Sequence, residues 1–485
     1  MESIWSKTVK LPAREPLKEN LSVDAAVIGA GMSGILTAYL LKKSGMSVAV
    51  LEADRIAGGQ TKNTTAKITS QHGLTYEKLL RRYGERRARL YARANEAAIL
   101  EYEMIIRENQ IDCHFERLPA YLYTVEPENR GILLKEAEAA AWLGLPARFQ
   151  ERVNLPLETL PMKTAGAVCF ERQAQFHPLE FIREISKNLT IYEETRVLSV
   201  KGKKIRTDRG AAVTAEHIIF AAHFPFVNVP GFYFARQHQE RSYVVAYENA
   251  ADLNGMYYSI DENGLSFRNY ENLLFVGGGA HRTGENKTGG RYRQLRNQAE
   301  ALYPKAKEVA HWSAQDCMPH DGLPFIGTYS MMRENWYVAT GFQKWGMTTS
   351  MVAAMMIRDM VCGVESPYEK LFTPQRIHPA AAAKSAVIDV WKSVAGLTRG
   401  LFLPSGRKTS PGEPTGGRQN PSGGRQHPAD RSSGDFSGTP SRCPHMGCGL
   451  KWNPDEESWD CPCHGSRFDC HGNLKDDPAQ SGLGR

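Results

Sequence analysis

One stretch near the N-terminus, VDAAVIGAGMSG, constrains the fold more than any other part of the sequence. Residues 23–28 are nearly all apolar, which predicts a short β-strand buried on both faces. A glycine-rich turn follows over 29–34, then a helical pattern over 35–43, then a second apolar strand that ends at Glu52. A strand, a glycine-rich turn, a helix and a second strand in this order predict a βαβ unit that binds a dinucleotide.

The three glycines of this turn have distinct physical roles. Gly29 permits the tight turn, Gly31 lets the backbone approach a pyrophosphate, and Gly34 lets the helix pack close to the strand. The pyrophosphate then meets the positive end of the helix. Glu52 is placed to accept hydrogen bonds from the ribose hydroxyls of an adenosine, and its negative charge disfavours a 2′-phosphate. The expected ligand is therefore FAD or NAD.

Length and composition narrow the class of protein. A chain of 485 residues is expected to form about two to four domains. The net charge of +7 does not suggest a dedicated nucleic-acid surface, which is normally a concentrated basic face. The best apolar run, 351–361, is short and carries Arg358 and Asp359, so a buried helix is expected there rather than a membrane span. The N-terminal residues lack the apolar core of a signal peptide, and a cytoplasmic protein is expected.

Further motifs distinguish between the two nucleotides. They are Gly58-Gly-Gln-Thr61, Thr64-Thr-Ala-Lys67, Glu194-Thr-Arg-Val197, Asp321-Gly-Leu-Pro-Phe-Ile-Gly327, and Trp336-Tyr-Val-Ala-Thr-Gly341 followed by Trp345-Gly-Met-Thr348. On these motifs, residues 23–375 resemble the FAD-dependent oxidoreductases related to glycine and D-amino-acid oxidases. The resemblance implies an α/β fold, in which a Rossmann-like FAD-binding domain carries a strand-rich substrate domain over 236–304.

The resemblance also implies which residues contact FAD. Besides the glycines of the turn and Glu52, the implied cofactor-binding residues are Gly59, Thr61, Thr65, Val197, Gly327, Gly341, Gly346, Met347 and Thr348. The last three stand at the start of a predicted helix over 347–361. Its unpaired N–H groups would stabilise the negative charge that reduction builds on the N1/C2=O edge of the flavin.

The substrate site is less well defined by the sequence. His281 follows a glycine-rich run in the predicted substrate domain, and Lys67 and His72 stand at or just past the flavin motifs. These three are candidate substrate-site residues, although a lone histidine is more often structural. No Ser/His/Asp or paired-carboxylate pattern stands out, and no catalytic base is identified. In a flavoenzyme the cofactor supplies the chemistry and the protein orients the substrate.

Two cysteine–histidine clusters lie in the last part of the chain, and five of the nine cysteines fall within 443–470. The first cluster reads Cys443-Pro-His445-Met-Gly-Cys448 and the second Cys461-Pro-Cys463-His464. Zinc ribbons and fingers favour Cys-x-x-Cys or wider pairs. The pattern instead resembles the Rieske [2Fe-2S] site, in which two thiolates hold one iron and two imidazoles hold the other. Structural zinc is the alternative.

The pattern resembles the respiratory-type subclass of Rieske proteins, and this resemblance implies a role for most residues of the two clusters. The implied metal ligands are Cys443, His445, Cys461 and His464. The implied disulfide joins Cys448 to Cys463, and Ser466 would donate its hydroxyl to a cluster sulfide. Stable disulfides are uncommon in the cytosol, so this one would have to be shielded beside the cluster. Cys470 has no assigned role.

The segment that precedes these clusters departs from the Rieske pattern. Residues 405–442 are dominated by Gly, Pro, Ser and Arg, bury too little apolar surface to fold, and are expected to be disordered. They show no alternation that could supply the strands normally found before the first ligand loop. Residues 476–479, Asp-Asp-Pro-Ala, also replace the usual glycine-proline turn beside the cluster. Two interpretations stay open: a flexible linker to a minimal Rieske lobe, or a reading-frame error inside a once-complete domain.

These boundaries give a predicted domain plan. It consists of an N-terminal extension (1–22), the oxidoreductase (23–378), a connecting helix (379–404), the linker or degraded segment (405–442) and a small, incomplete all-β Rieske domain (443–485). Contact of the connecting helix with a membrane surface is the alternative to a plain connector.

Together these features predict an FAD-dependent dehydrogenase. Its substrate would be a small amine or amino acid that loses hydride at a C–N bond, and the electrons would pass singly through the Rieske cluster to an external acceptor. The fusion favours a dehydrogenase, because an oxidase needs no iron–sulfur acceptor. The alternative is an electron-transfer module that relays electrons from a reductase partner, and a non-redox role for both groups is a third.

Overall fold

The computed structural model describes residues 1–155, 162–376 and 442–483. Within these ranges the chain divides into two compact units, 1–281 with 290–376 and 282–289 with 442–483. The predicted connecting helix and nearly all of the predicted disordered segment lie outside the described residues. No helix within the described ranges combines the length and the apolar character that crossing a bilayer requires.

The described residues contain helices of very different length. The α-helices are α1 (Ile4–Thr8), α2 (Met32–Lys43), α3 (Tyr76–Glu108), α4 (Arg130–Trp142), α5 (Pro178–Ile185), α6 (Arg291–Leu302), α7 (Gly346–Val361) and α8 (Glu369–Phe372). Short 3-10 helices span Gln60–Asn63, Pro127–Asn129 and Tyr233–Ala235. Gly84 interrupts the helical backbone of α3 with a φ of 76°.

The strands are numbered in chain order across the described residues. The first twelve are β1 (Leu21–Ile28), β2 (Val48–Leu51), β3 (Lys67–Ile68), β4 (Glu116–Thr124), β5 (Ala147–Gln150), β6 (Asn154–Leu155), β7 (Met162–Lys163), β8 (Gly166–Gln175), β9 (Thr190–Tyr192), β10 (Val197–Lys201), β11 (Lys204–Thr207) and β12 (Ala212–Phe220). The others are β13 (Gln237–Glu248), β14 (Met256–Ser259), β15 (Ser266–Tyr270), β16 (Leu273–Arg282), β17 (Lys307–Pro319), β18 (Phe325–Ser330), β19 (Arg333–Thr340), β20 (Lys451–Asn453), β21 (Ser458–Asp460), β22 (Arg467–Asp469) and β23 (Leu474–Asp476).

An eight-stranded sheet in the larger unit carries the predicted dinucleotide turn. Its main order is β10-β11-β12-β1-β2-β9, and β19 joins β12 to β18. β1 runs parallel to both β2 and β12, and β2 is buried throughout, as expected for strands covered on both faces. The predicted βαβ unit is confirmed. Helix α2 begins at Met32 rather than at the predicted Ile35, because the Thr61 hydroxyl accepts the Met32 N–H at 2.9 Å and so caps the first turn.

A nine-stranded sheet forms the second layer of the larger unit. Its order is β17-β13-β16-β15-β14-β4-β8-β3, and β5 pairs with β8. Strands β13 to β16 lie within the range 236–304 that the sequence predicts as a strand-rich substrate domain. Strands from outside that range complete the sheet, because β17 pairs with β13 along its length and β4 pairs with β14.

The N-terminal residues contribute to the core of the larger unit, which the sequence pattern did not indicate. Trp5 on α1 is fully buried, and its indole N–H donates to the Thr64 carbonyl at 2.7 Å. The indole packs edge-to-face against the rings of His177, Tyr270 and Phe275. Since Thr64 belongs to a predicted flavin motif, α1 holds that motif in place.

The smaller unit contains a four-stranded antiparallel sheet in the order β20-β21-β22-β23. Its apolar core is small and consists largely of cysteines, Trp459 and Phe468. A buried ion-pair network adds to this core, since the Arg467 guanidinium contacts the carboxylates of Glu456, Asp460 and Asp476. Such a network holds the sheet only while all partners are present, because removing one leaves an uncompensated buried charge.

We predict that Trp5→Ala destabilises the larger unit. Loss of a fully buried aromatic side chain is expected to lower the free energy of unfolding by about 3–5 kcal/mol. Urea unfolding followed by circular dichroism measures this change. Trp142→Ala is the matched control, because Trp142 is 65% exposed and its loss should change stability by no more than about 0.5 kcal/mol. Equal unfolding midpoints for Trp5→Ala and the wild type would contradict the role of α1.

Candidate functional site

The glycine turn of the larger unit is built for close backbone packing. Gly29 has a φ of +106°, in the region that favours glycine. A Cβ on Gly34 would lie 1.9 Å from the Gly29 carbonyl oxygen, so a side chain at position 34 would force α2 away from the turn. Gly31 stands between them at the N-terminus of α2. The turn therefore aims the helix N-terminus at the space beyond β1, the arrangement that receives a pyrophosphate.

Glu52 lies at the end of β2, beside this turn. Its two carboxylate oxygens accept the N–H groups of Ala30 at 2.7 Å and Asp54 at 2.9 Å. Burial raises the pKa of Glu52, while these two hydrogen bonds oppose the rise. The Glu52 backbone carbonyl accepts the Thr195 N–H at 2.8 Å, which brings the 194–197 motif next to the backbone of Glu52. The motif that contains Val197 thus lies beside the end of β2 that leads to Glu52.

The 58–67 segment is tied to both sheets. The Thr61 hydroxyl accepts the Met32 N–H in the first turn of α2, and Gly59 precedes the short 3-10 helix that carries Thr61. The Arg268 guanidinium, fully buried on β15, donates to the carbonyls of Thr65 at 2.6 Å and Ala66 at 2.9 Å. These contacts fix the backbone of the segment that is predicted from the sequence to contact FAD.

The start of α7 is fastened to the same region. Gly346 is the first helical residue. The Thr348 hydroxyl accepts the Thr69 N–H at 2.8 Å and donates to the Thr69 carbonyl at 2.9 Å. The Met347 carbonyl accepts the Tyr102 hydroxyl at 2.9 Å. The N-terminus of α7 is therefore held next to β3. A helix that is to face one edge of the flavin needs such a fixed position.

Gly327 and Gly341, the other two predicted glycines, belong to the β18–β19 hairpin. Gly327 lies within β18 and Gly341 directly follows β19. A Cβ on Gly341 would lie 2.5 Å from the Pro319 side chain, at the end of β17. Close packing therefore explains this glycine without a cofactor, and its predicted contact with FAD stays a prediction.

A cavity of about 400 Å³ lies in the larger unit between these motifs and the nine-stranded sheet. Its walls include Thr65, Lys67, Tyr258, Asp316, Lys344 and Trp345. Met347, at the start of α7, also lines it. Three residues named from the sequence (Thr65, Lys67 and Met347) thus meet at one cavity. Asp316, Tyr258 and Lys344 were missed, because no local pattern marks them and only strand pairing brings them there.

Lys67 is the unusual group in this cavity. Its ammonium donates to the Tyr257 carbonyl at 3.0 Å and to the Ser266 hydroxyl at 3.1 Å. Burial, with a smaller contribution from the positive charge of Arg268, lowers the pKa of Lys67 to about 7. Among the described residues no carboxylate lies within ion-pair distance of the Lys67 ammonium. A third N–H therefore remains for a ligand, and an anionic ligand would restore the positive charge.

Lys344, in contrast, is already compensated. Its ammonium lies 3.6 Å from the Glu240 carboxylate. Burial would lower its pKa, but Tyr258, Glu240 and Asp316 raise it overall. Burial also disfavours the Glu240 anion, yet a His238 hydrogen bond and the Lys344 charge lower the pKa of Glu240 to about 2. Asp316 differs, because burial raises its pKa to about 7. The cavity thus contains one carboxyl group that titrates near neutrality.

The two histidines considered from the sequence occupy different places. His72 stacks on Trp345 with ring centroids 4.8 Å apart, and its ring nitrogens bind the Tyr91 hydroxyl and the Thr69 carbonyl. Burial lowers the pKa of His72 to about 3. Because both ring nitrogens of His72 are already hydrogen-bonded, its role is structural: it packs behind Trp345, which lines the cavity. His281 is half-buried, lies 3.4 Å from the Tyr243 hydroxyl and does not line the cavity.

In the smaller unit the four predicted metal ligands stand on two similar loops. In the first loop Cys443 N–H donates to the Cys448 carbonyl, and in the second Cys461 N–H donates to the Ser466 carbonyl, both at 2.8 Å. The rings of His445 and His464 lie edge to face with centroids 5.0 Å apart. Burial lowers the pKa of His445 to about 4 and of His464 to about 3, so both imidazoles are neutral and able to ligate.

The cysteines divide into a bonded pair and a ligand pair. Cys448 and Cys463 form a disulfide, as the resemblance implied. The Cys461 sulfur lies within 4.8 Å of both disulfide sulfurs, but these carry no thiolate and cannot ligate a metal. Hydrogen bonds from the Cys461 thiol and, to a lesser extent, the Ser466 hydroxyl help to lower the pKa of Cys443 to about 7, against the effect of burial. The Cys443 and Cys461 thiols contact each other, and so do the two imidazoles. Two thiols and two imidazoles are the donor set of a [2Fe-2S] cluster.

Residues 476–479, where the sequence departs from the Rieske pattern, still reach the second ligand loop. Ala479 is fully buried, and its N–H donates to the Ser466 hydroxyl oxygen at 3.0 Å. The hydroxyl hydrogen of Ser466 is thereby directed elsewhere, and Cys443 receives it. The unusual segment thus orients the predicted sulfide donor.

The two units together define a flavoprotein joined to an iron–sulfur domain, and comparison with known proteins agrees. The family model described as FAD dependent oxidoreductase matches residues 24–360, and the Rieske [2Fe-2S] domain model matches 426–484. The chain is 37% identical over 499 residues to YhfW of Bacillus subtilis (strain 168), by its name a Rieske 2Fe-2S iron-sulfur protein, covering 99% of this chain and 96% of that protein.

Solved structures resemble the larger unit. Glycine oxidase from Geobacillus kaustophilus has a TM-score of 0.62 and 18% identity, covering 74% of this chain and 100% of that chain. L-proline dehydrogenase from P. horikoshii has a TM-score of 0.61 and 16% identity, with 74% and 98% covered. At identities this low, structural similarity establishes the fold alone. The family match shows more: the chain belongs to the FAD dependent oxidoreductase family, carries a Rieske domain, and is an oxidoreductase with FAD and a [2Fe-2S] cluster as cofactors.

We predict that Gly34→Ala abolishes tight FAD binding. The new methyl group would lie 1.9 Å from the Gly29 carbonyl oxygen and would push α2 off the turn. The dissociation constant for FAD, measured by reconstitution of the flavin-free protein, should rise at least about tenfold, which corresponds to about 1.4 kcal/mol. The control is Gly131→Ala on α4, where a Cβ meets nothing within 4 Å. Equal affinities in the two variants would refute the packing argument.

Proposed function

We propose that this oxidoreductase oxidises a C–N bond of a small amino acid or amine and delivers the electrons one at a time to an external acceptor. The observation that carries the proposal is the Lys67 ammonium, which has no carboxylate partner among the described residues and lines a cavity next to the motifs expected to contact flavin. Glycine oxidase and L-proline dehydrogenase, whose structures the larger unit resembles, act on amino acids by their names.

In this proposal Lys67 binds the substrate carboxylate. A charged hydrogen bond to a buried group is stronger than one in water, and the ammonium is fixed by the Tyr257 carbonyl and the Ser266 hydroxyl before the substrate arrives. Burial, with a smaller contribution from the positive charge of Arg268, keeps the pKa of Lys67 low until a carboxylate is bound. Substrate binding and protonation of Lys67 are therefore coupled.

Asp316 is the proposed acceptor of the proton that an amino-acid ammonium must lose. With a pKa of about 7 it is suited to exchange a proton near neutral pH. Loss of that proton gives a neutral amine, and departure of hydride from the α-carbon then gives an iminium product. The Lys344–Glu240 pair next to Asp316 stays charged throughout and sets the local field.

The residues proposed to hold FAD are those that the sequence named. Gly29, Gly31, Gly34 and Glu52 would hold the adenosine and pyrophosphate, with Gly59, Thr61, Thr65, Val197, Gly327, Gly341, Gly346, Met347 and Thr348 along the remainder. When bound, FAD supplies a two-electron acceptor for the hydride. The N–H groups at the start of α7, fastened through Thr348 to Thr69, would stabilise negative charge on the flavin edge.

The residues proposed to hold the [2Fe-2S] cluster are Cys443, His445, Cys461 and His464. A one-electron group fused to a flavoprotein favours a dehydrogenase over an oxidase. A relay that receives electrons from a reductase partner is the second candidate function, favoured by the same fusion but not by the cavity.

Anaerobic absorbance of the purified chain distinguishes these functions. We expect at least one member of a panel of amino acids and amines to bleach the flavin, and turnover in air to yield little peroxide compared with reduction of a one-electron dye. Copious peroxide would show an oxidase. Bleaching by NADH with a reductase, and by no member of the panel, would show the relay.

We predict that Lys67 makes carboxylate binding dependent on pH. Acetate or benzoate, titrated against the flavin spectrum, should bind best below pH 7, where Lys67 is charged, and more weakly as the pH rises through about 7. Asp316 becomes negative over the same range and acts in the same direction, whereas Lys344 and Glu240 do not change.

The matching variant is Lys67→Met. At pH 6 it should bind these carboxylates about 10- to 100-fold more weakly, as expected for loss of a charged hydrogen bond of about 1.5–3 kcal/mol, and should keep only the smaller pH dependence due to Asp316. Lys135→Met on α4, where the lysine is exposed, is the control. Wild-type affinity in Lys67→Met would assign the carboxylate to another residue.

A further inference from the structure

Residues 282–289 belong to the compact unit of the cluster lobe although they are far from it in the sequence. They connect β16 to α6, within the range that the oxidoreductase family model matches. Arg282, Thr283 and Asn286 are all more than nine-tenths buried. We call residues 282–289 the lobe-contact segment.

The first part of the lobe-contact segment reaches the second ligand loop. The Arg282 guanidinium donates to the carbonyls of Pro462 at 3.4 Å and Cys463 at 3.5 Å. These two residues stand between Cys461 and His464, two of the four ligands proposed above. Gly284 approaches so closely that a Cβ there would lie 2.8 Å from the Pro462 Cα. A guanidinium and a bare backbone thus cover the loop that carries half of the ligand set.

The second part of the segment contacts the buried polar network of the lobe. The Asn286 amide donates to the Asn453 side-chain oxygen at 3.0 Å and to the Asp455 carboxylate at 2.9 Å. The Asn453 amide in turn donates to Asp460, which accepts from Arg467. Asn286 therefore extends the network that holds the four-stranded sheet.

We propose that Arg282 is a positioning residue of the [2Fe-2S] cluster, which holds the second ligand loop and raises the reduction potential of the cluster. The proposal rests on the ligand set above but not on the substrate assignment. Reduction adds one electron to the cluster and breaks no bond, so the cluster gains one negative charge. A guanidinium beside the ligand loop stabilises the reduced state more than the oxidised state, and a more positive potential follows. The two carbonyl contacts fix where this charge lies.

The test uses the full chain with both cofactors and three variants, Arg282→Gln, Arg282→Lys and Arg293→Gln. Arg293 is an exposed arginine outside the lobe-contact segment and serves as the charge-matched control. Redox titration followed by electron paramagnetic resonance gives the midpoint potential, and iron, sulfide and FAD contents give the loading. Arg282→Gln should shift the one-electron equilibrium toward oxidation about tenfold, which is about 59 mV. Arg282→Lys should shift it less, and Arg293→Gln should leave it unchanged.

The outcomes separate the proposal from a general effect. The proposal is supported if Arg282→Gln, but not Arg293→Gln, keeps its full FAD content and either has a lowered cluster potential or lacks the cluster. An unchanged potential, spectrum and loading in Arg282→Gln overturns it, as does an equal change in Arg293→Gln.

A second variant covers the case in which Arg282→Gln loses FAD and cluster together through misfolding. Asn286→Asp would set a carboxylate against the acceptor oxygens of Asn453 and Asp455. It should lose its cluster at least about fivefold faster than the wild type while keeping FAD. The control is Asn254→Asp, at an exposed position. Wild-type cluster retention in Asn286→Asp, together with a wild-type cluster potential in Arg282→Lys, would overturn the proposal.

Discussion

The contact between Gly34 and the Gly29 carbonyl is the constraint on which the larger unit depends. With no Cβ between them, α2 lies directly on the turn after β1, and its N-terminus opens at the end of the parallel strands. The other elements of the nucleotide site are attached to this arrangement: the Glu52 carboxylate binds the Ala30 N–H within the turn, and the Thr61 hydroxyl binds the Met32 N–H of α2. Displacing the helix would therefore disturb each of these at once.

Charge balance gives the neighbouring cavity its character. Lys344 is matched by Glu240, so that pair needs nothing from a ligand. Lys67 and Arg268 are instead held by carbonyl and hydroxyl oxygens, which solvate a cation without neutralising it. An interior with excess positive charge is costly in the absence of a ligand, as the lowered pKa values of both groups indicate. A carboxylate is the simplest group that removes this cost.

The parts predictable from the sequence were those whose signal is local. The turn at 29–34, the helix that begins at Gly346 and the two cysteine–histidine loops each carry their chemistry within a few residues, and the structure contains all of them. Asp316 and Lys344 could not be found in this way, because only the folding of segments distant in sequence brings them to the cavity that Lys67 lines. Trp5 and Arg282 were missed for the same reason, since neither lies near a motif that it supports. Long-range packing, rather than weak propensity, limited the sequence-based prediction.

We propose that the larger unit binds FAD at the turn formed by Gly29, Gly31 and Gly34. The visible absorption spectrum of the chain, purified gently and then incubated with added FAD, tests this claim most directly. We expect flavin bands that stay with the protein through gel filtration, whether or not the iron–sulfur centre has survived. A protein that is colourless on isolation and releases all of the added FAD on the column would contradict it.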